Sequence, residues 1–307
     1  MFTLQITFSR VALPVFAALF CAPLPTLAST IFSADLASFA VLGASTVTNV
    51  PTSAIQGNVG VWPGTSITGI NSVSGSAVSD PQVNVGLVHS ATPLTQSAHD
   101  QLTRARDDLL SLGAGTLLPS DLIGLTLLPG VYTVPAAATN LSGTLTLNSG
   151  GNPNAAWVFQ MPSTLITSSG SVVNMIGGGS HAGLFWNVGS SATLNTYSTF
   201  MGNILAYASI SAKTGATINC GRLLAQTAAV TLEMNSILGI CNGFFAGSYG
   251  LSGGLDIRLV NGGDLAEFLR MGQKLNVMPE VPLPDSFDLL ALGIAGLFAV
   301  RRKRSTS

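Results

Sequence analysis

Charged residues are scarce in this chain. Of its 307 residues only 8% are Asp, Glu, Lys or Arg, against about 25% in an ordinary soluble domain, and the formal net charge is −1. This composition excludes a nucleic-acid binder and a charged disordered tail, because both need many more charges. Between residues 113 and 212 the only formal charge is Asp121. A solvent-facing surface there must therefore be built from uncharged residues such as Thr, Ser and Asn.

The groupings that catalysis requires are also lacking. A polysaccharide lyase or hydrolase needs clustered carboxylates in a groove, whereas Glu233 stands alone in its segment. No phosphate-binding loop or dinucleotide fingerprint occurs, and the stretch Gly-Gly-Ser-His-Ala at 178–182 lacks the final Gly of a nucleophile elbow. The histidines have no matching nucleophile and acid in any recognisable pattern: His89, His99 and His181. We therefore predict that the chain is not an enzyme and has no cofactor and no metal site.

The first 28 residues have the layout of a secretory signal peptide. Arg10 precedes an apolar run at 11–20, and the segment ends in the small-residue sequence Thr-Leu-Ala at 26–28. Cleavage near Ala28 would release a mature chain outside the cytoplasm. The bulky Phe20 before Cys21 argues against lipidation of that cysteine. We therefore predict an exported protein, secreted or associated with the cell surface.

The C-terminal segment, residues 281–307, combines three features. Val-Pro-Leu-Pro-Asp at 281–285 is followed by a mostly apolar run at 287–300 and a basic cluster at 301–304. Such an order is typical of a membrane stop with its positive end in the cytoplasm. The segment resembles the sorting tails of Gram-negative bacteria, in the Val-Pro-Leu-Pro variant of the Pro-Glu-Pro type, which implies export machinery and a membrane protease as partners. A permanent, slightly short transmembrane anchor is the alternative.

Short apolar-alternating runs separated by turn residues predict strands over most of residues 35–88, at 39–42, 45–50, 57–61 and 66–70. One segment has a different period. Leu94, Ala98, Leu102, Ala105 and Leu109 recur at helical spacing, with charged residues on the other faces, and glycines end the pattern. The sequence thus predicts one long helix, at about 95–112, in a chain dominated by strands.

Three segments after the helix repeat one pattern with a period near 19 residues: 191–200, 209–218 and 229–238. Thr193, Ser211 and Thr231 stand in one column of their alignment, and matching stretches at 202–206 and 221–225 separate the segments. Strict alternation predicts that the column points outward and that its apolar neighbours point inward. A repeat of this length, with strands and no helix, predicts a β-solenoid whose stacked coils share one narrow core.

Two cysteines, Cys220 and Cys241, remain after removal of the leader. In an exported protein such a pair predicts a disulfide. Their separation of 21 residues is about one coil of the repeat, which could bring them within bonding distance. Two buried free thiols are the alternative.

Seven motifs resemble those of the ice-binding-like (adhesin-type) family of bacterial and fungal ice-binding proteins, in the family's order and with the helix between the second and the third. They are FAVLGASTVTN (39–49), GNVGVWPGTSITG (57–69), LTLLPGVYTV (125–134), LSGTLTLNSGGNPNAAWVFQMPSTLITSSGS (141–171), LFWNVGSSATLNT (184–196), FMGNILAYASISAKTGATIN (200–219) and GRLLAQTAAVTL (221–232). The resemblance implies an all-β dominated fold, a discontinuous right-handed β-solenoid with one long α-helix packed alongside, over residues 29–241. It gives little guidance for the Gly-rich extension at 242–280.

The resemblance also implies a function, since in that family a flat face of regular strand ladders binds ice. Such a face should be flat, rigid and weakly polar, and Thr suits it: its methyl group orders water, its hydroxyl hydrogen-bonds, and its β-branch leaves few rotamers. The candidate ice-binding residues are the outward column and its neighbours, those that the family's face adds from the N-terminal coils, and a short motif at 214–217. They are Ser191, Thr193, Ser209, Ser211, Thr231, Thr46, Thr48, Thr68, Thr214 and Thr217. The alternative is that Ser and Thr simply fill exposed strand positions.

A second class of function stays open from the sequence. An exported solenoid could be an adhesive module that binds extracellular polysaccharide or protein. A carbohydrate binder should expose aromatic rings for stacking, and the candidates are few: Trp62, Tyr197 and Tyr207. We expect a monomer whose partner is the ice surface, with no nucleic acid bound.

Overall fold

Alternating apolar residues form strands throughout the described part of the chain, which the computed structural model gives as residues 31–241 and 243–255. The predicted signal peptide at 1–28 and the predicted sorting segment at 281–307 lie outside the described residues. The strands before the long helix are β1 (Phe39–Gly43), β2 (Thr46–Val50), β3 (Ala54–Gln56), β4 (Asn58–Val61), β5 (Ser66–Thr68), β6 (Ser76–Val78), β7 (Val83–Asn84) and β8 (Val88–Ser90). Those after it are β9 (Thr116–Leu117), β10 (Thr126–Leu127), β11 (Gly130–Thr133), β12 (Thr144–Asn148), β13 (Ala156–Met161), β14 (Leu165–Ile166), β15 (Val172–Ile176), β16 (Gly183–Val188), β17 (Ala192–Leu194), β18 (Thr199–Met201), β19 (Asn203–Ala206), β20 (Ile210–Ala212), β21 (Thr217–Asn219), β22 (Leu223–Ala225), β23 (Val230–Glu233) and β24 (Ser236–Leu238).

Within the described residues the strands form three sheets, and the chain passes from one sheet to the next at each corner of a coil. The ten-stranded sheet has the order β6-β8-β4-β1-β22-β19-β16-β13-β11-β9. The eight-stranded sheet is β10-β12-β15-β18-β21-β24-β3-β7, and the six-stranded sheet is β14-β17-β20-β23-β2-β5. The pairings are parallel except that of β6 with β8. The fold is therefore a mostly β, solenoid-like stack of coils, as the repeat predicts.

The stack is discontinuous in sequence. Strand β1 pairs with β22 on one side and β4 on the other, so Val41 lies opposite both Leu223 and Val59. Strands β2 and β3 are inserted in the same way, next to β23 and β24 respectively. The discontinuity that the family resemblance implies is therefore present, because the first strands and the last lie in the same sheets. The N-terminal coils thereby extend the surfaces that the C-terminal repeat begins.

Glycines allow the coils to stack closely at the corner that leads into the ten-stranded sheet. Gly202 and Gly221 begin the two matching stretches of the repeat and occupy equivalent places in successive coils. A Cβ atom on Gly221 would collide with the backbone carbonyl of Gly202, and Gly202 itself has φ of +92°. The corner therefore admits only residues without a side chain.

The long helix α2 spans Pro93–Ser111, close to the predicted 95–112. It begins at a capping box, in which the side chains of Thr92 and Thr95 bond reciprocally to backbone N–H groups, and Pro93 occupies its first turn. Its apolar stripe, including Leu102 and Leu109, packs on the outer side of the ten-stranded sheet and buries it. The structure adds two short elements that the sequence did not predict, α1 (Ala34–Ala37) and a 3₁₀ helix (Gly243–Ser248). No helix among the described residues has the length and apolarity to cross a membrane.

The segment after the last coil contacts the solenoid as well. Leu184 N–H donates to the Leu251 carbonyl at 2.9 Å, and Gly253 N–H donates to the Ala182 carbonyl at 3.1 Å. The buried guanidinium of Arg222 donates to the Tyr249 and Gly250 carbonyls, at 2.8 and 3.0 Å. The described part of the Gly-rich extension is thus packed across the starts of β16, β19 and β22 in the ten-stranded sheet.

Candidate functional site

Among the residues that the structure describes, two of the three sheets present an open outer side. In the ten-stranded sheet, strands β1, β13 and β16 are buried at every position, because the core lies on one side and α2 with its neighbours on the other. The six- and eight-stranded sheets instead alternate buried and half-exposed residues, with the buried ones in the core. A large flat contact with an outside surface must therefore involve one of these two.

The outer side of the six-stranded sheet, called here the six-stranded face, has a row of hydroxyl side chains across five of its six strands. The edge strand β14 contributes Ile166 to this row, opposite Thr193. Thr193 lies opposite Ser211, Ser211 opposite Thr231, Thr231 opposite Thr48, and Thr48 opposite Thr68. Since neighbouring strands are about 4.8 Å apart, this central row is about 19 Å long. The column predicted from the repeat exists, and two strands from before the helix continue it.

A second row runs beside the first on the same face, two residues earlier in each strand. It contains Ser191, Ser209, Ala229, Thr46 and Ser66, where Thr46 lies opposite Ser66 and Ser209 Oγ donates to Ser191 Oγ at 3.0 Å. Ser66 was not among the predicted site residues, although its alternation with Ile67 and Thr68 carries the same signal as the other strands. This second row is interrupted only at Ala229.

The residues behind these rows make the face rigid. Ala192, Leu194, Ile210, Val230 and Leu232 alternate with the hydroxyl residues, and each is at most 1% exposed. Side chains packed on this side cannot shift without opening the core. The β-branched threonines in front also have few rotamers. The hydroxyls are therefore held on a fixed grid.

Two predicted site residues lie off this grid. Thr217 belongs to β21, where it lies opposite Thr199 and Ser236 on the eight-stranded sheet, and so does not share a sheet with the central row. Thr214 lies in the turn before β21, and its Oγ1 donates to Glu233 Oε2 at 3.0 Å. The reason is the corner between the sheets, which falls inside the motif at 214–217 and turns its second threonine onto another side of the coil.

The eight-stranded sheet also exposes threonines, but in a less regular pattern. The row that contains Thr217 continues through Thr199 to Val172 and through Ser236 to Ala54. The next row includes the apolar residues Met201 and Leu238. The first of these rows thus has three successive hydroxyl residues between Val172 and Ala54, fewer than the five of the central row of the six-stranded face.

One ion pair lies on the six-stranded face. Glu233 follows Thr231 by two residues in β23 and points to the same side, opposite Val50 in β2. Lys213 Nζ donates to Glu233 Oε1 at 3.1 Å, and the two side chains are 41% and 25% exposed. The bond from Lys213 and those from Thr214 lower the pKa of the Glu233 carboxyl. The face therefore has a charged margin beside its central row.

Sequence comparison places these features in a known group. A family model described as Ice-binding-like matches residues 41–238, well over half of the chain and the region that forms the solenoid. The chain belongs to the ice-binding-like family. An ice-binding protein of Nostoc sp. (strain HG1) is 42% identical over 205 residues, which cover 66% of this chain and 72% of that protein. An ice-binding protein of Flavobacterium frigoris (strain PS1) is 35% identical over 212 residues, covering 66% of this chain and 73% of the other.

Solved structures of ice-binding proteins have the same fold. The crystal structure of an ice-binding protein from the Antarctic ascomycete Antarctomyces psychrotrophicus superposes with a TM-score of 0.61 at 36% identity. The match covers 68% of this chain and 98% of that one. The solenoid of this ice-binding-like chain is therefore comparable to essentially the whole of that protein.

The two cysteines of this ice-binding-like domain are buried, in the arrangement given above as the alternative to a disulfide. The structure has Cys220 and Cys241 as buried thiols and not as a disulfide. They are nevertheless neighbours, because a hydrogen bond from Cys220 is the main cause that lowers the pKa of Cys241 to about 7. Ser248 Oγ donates a further bond to Cys241 Sγ at 3.2 Å. Stacking of successive coils thus brings the two sulfurs into contact, as the spacing suggested, in the reduced form.

The three histidines lie at separate places in the fold. His89 is buried beside Thr92 at the start of α2, and His99 Nε2 lies 2.6 Å from the Gln226 carbonyl. His181 is exposed and contacts its neighbour Ser180. In the part of the chain that the structure describes, no group of three or more His, Cys, Asp or Glu could hold a metal ion.

Proposed function

We propose that this protein binds ice through the six-stranded face. The observation that carries the proposal is the central row, five hydroxyl residues in register across five strands. The second row supports it with Ser191, Ser209, Thr46 and Ser66. The relatives and solved structures that match this chain are themselves named ice-binding proteins.

The chemistry of the face suits a surface made of water. Ice offers neither charge nor pocket, so a complementary protein surface gains little from ion pairs and needs many weak contacts at once. Each threonine hydroxyl can hydrogen-bond to a water molecule while its methyl group orders the water nearby. Because the grid is rigid before contact, little conformational entropy is lost when the face adsorbs.

The other expectations from the sequence join this proposal. We infer a right-handed solenoid, a non-enzymatic role and a monomer, since a single copy already presents the complete face. We also infer export, from the signal-peptide layout at residues 1–28, with a sorting tail at 281–307 that a membrane protease removes. Secretion would bring the protein into contact with ice outside the cell.

The alternative of an adhesive module that binds polysaccharide has no specific observation in its favour. Tyr197 and Tyr207 are 71% and 51% exposed, but they lie at different corners of the coil and form no common platform. The guanidinium of Arg106 lies 5.8 Å from the centre of the Tyr207 ring, which links that ring to the helix side. Sugar binding by stacking would need rings that face one groove.

The test is thermal hysteresis and recrystallisation inhibition by the full chain, with three separate changes in the central row: Thr193→Tyr, Ser211→Tyr and Thr231→Tyr. A tyrosine ring standing out of the grid would hold the flat face away from ice. We expect the parent protein to be active and each variant to lose most of its activity while keeping its unfolding temperature. A parent that neither slows recrystallisation nor adsorbs to ice would refute ice binding.

The matched controls are Thr199→Tyr and Thr217→Tyr, which place the same ring in one row of the eight-stranded sheet. We expect both to remain active. If they lose activity and the central-row variants keep it, ice binding stands but the six-stranded face is the wrong surface.

A further inference from the structure

The only ion pair recorded among the described residues lies on the surface that we propose binds ice. Lys213 and Glu233 occupy the row next to the central row, one position beyond Ala212 and Leu232, which pair with each other in register. Along β23 the Glu233 side chain stands roughly 7 Å from Thr231, at the spacing of alternate strand residues. The charges are therefore part of the same flat surface and not of a separate site.

The third row contrasts with the first two in its chemistry. Its members are Lys213, Glu233 and Val50, the last of which is 48% exposed and pairs with Glu233 in register. Asn195 stands before Lys213 in this row, but its Nδ2 turns back to the Thr167 carbonyl at 2.7 Å. Here the regular hydroxyl pattern stops, although the strand β2 beside it keeps threonines at its other outward positions.

Charged groups oppose contact with ice for a physical reason. An ammonium or carboxylate orders water around itself in its own geometry, and removal of that water is costly. Pairing lowers the cost only in part, because both groups remain partly exposed. Ice could therefore approach the first two rows while water stays bound at the third.

We propose that the Lys213–Glu233 pair sets the margin of the ice-contacting face and limits its width to the two hydroxyl rows. This inference rests on the proposed function. It predicts that the natural pair lowers the ice affinity that the scaffold can reach. A neutral third row would extend the array by the same grid spacing.

The experiment compares the parent chain with Lys213→Thr/Glu233→Thr, in which β23 reads Val-Thr-Leu-Thr, similar to the Thr-Val-Thr of β2. We expect thermal hysteresis at equal protein concentration to rise about twofold, because contacts that act together on one rigid body multiply in effect. The net charge is unchanged by the double substitution, so a general charge effect is excluded.

Glu233 also accepts bonds from the Thr214 N–H and hydroxyl, at 3.2 and 3.0 Å, so its replacement by Thr could weaken the turn. A second variant, Lys213→Gln/Glu233→Gln, removes both charges and keeps an amide oxygen for these bonds. It should unfold at the parent temperature and also show raised hysteresis. The control is Arg104→Gln/Asp108→Asn, which removes two opposite charges from α2, the helix that covers the ten-stranded sheet; it should leave hysteresis unchanged.

The outcomes separate the two proposals. Raised activity in both neutral variants supports the margin. Unchanged or lowered activity in a folded Gln/Gln variant, beside an active parent, overturns the margin and leaves ice binding intact. An inactive parent refutes the proposed function; if the neutral variants are then inactive too, the pair limits nothing and the inference fails with it.

Discussion

At the scale of single residues, a threonine hydroxyl is available to contact ice only where it is not already hydrogen-bonded within the protein. Thr231 and Thr214 are both partly exposed and both were predicted to contact ice. Thr231 stands in a row whose side chains point outward to solvent, whereas the Thr214 hydroxyl already donates a hydrogen bond to the Glu233 carboxylate. The sequence could not distinguish them, because the bond to Glu233 depends on the turn at the corner and on the neighbouring coil.

The first prediction concerns Thr214→Ala. We expect this change to lower the free energy of unfolding by about 0.5–1.5 kcal/mol, the usual value of one hydrogen bond, and to leave ice adsorption nearly unchanged. Urea denaturation and partitioning of the protein into growing ice measure the two effects. Thr231→Ala is the matched change. It should lower ice adsorption and leave the free energy of unfolding nearly unchanged. Equal losses of adsorption in the two variants would contradict the distinction.

A second prediction concerns the dependence of stability on pH. Burial lowers the pKa of His89, whose ring lies against Phe39 and Thr92, below the usual 6.5. As the pH falls through 6.5 the unfolded chain binds a proton that the folded protein excludes, so stability is lost in that window. Glu233 and Asp121 have lowered pKa values, so their contributions are lost only in more acidic solution.

The measurement is the urea midpoint on either side of pH 6.5. We expect the parent midpoint to drop on the acid side and the drop to be smaller in His89→Gln. The exposed His181, changed to Gln, serves as the control and should behave as the parent does. An identical drop in all three proteins would assign the effect to other groups.

At the scale of elements, the sequence predicted what periodicity encodes. The helix at Pro93–Ser111 and strands β1, β2, β4 and β5 match the predicted segments, because apolar spacing differs between a helix and a strand. Corners were not predictable in the same way. The alternation has the same phase on both sides of the turn, with Ile210, Ala212, Ala216 and Ile218 all buried, so it does not show that Thr217 has passed to another sheet.

A third prediction concerns the contact between Cys220 and Cys241. We propose that in the exported protein these thiols lose two protons and two electrons to a disulfide acceptor and become linked. The link would join the corner before β22 to the segment after β24. For a loop of this length a disulfide stabilises by about 3 kcal/mol, mainly by restricting the unfolded chain.

Treatment of the full chain with oxidised glutathione tests this link. We expect both cysteines to resist alkylation after unfolding and the unfolding temperature to rise, with no rise in Cys220→Ser/Cys241→Ser. Ready alkylation of both thiols after the treatment would show that the pair stays reduced. Ice adsorption should not depend on the link, since neither sulfur lies on the six-stranded face.

At the scale of the whole molecule, the proposed face exists only because the chain returns to its own beginning. Thr193, Ser211 and Thr231 come from the C-terminal repeat, whereas Thr48 and Thr68 come from strands before the helix. The helix covers the one sheet that lies against it and leaves the face open. Sequence repeats alone predicted three members of the row; the N-terminal members were expected from the family resemblance, and their register follows from the pairing of β2 with β23.

The most direct test of this account is the fraction of protein incorporated into a slowly growing ice hemisphere for Thr48→Tyr and Ala54→Tyr. Both residues lie in the N-terminal coils, Thr48 in the central row and Ala54 on the eight-stranded sheet, opposite Ser236. We predict that Thr48→Tyr is excluded from ice as strongly as Thr231→Tyr, while Ala54→Tyr is incorporated as the parent is. Full incorporation of Thr48→Tyr, with Ala54→Tyr excluded, would contradict the account.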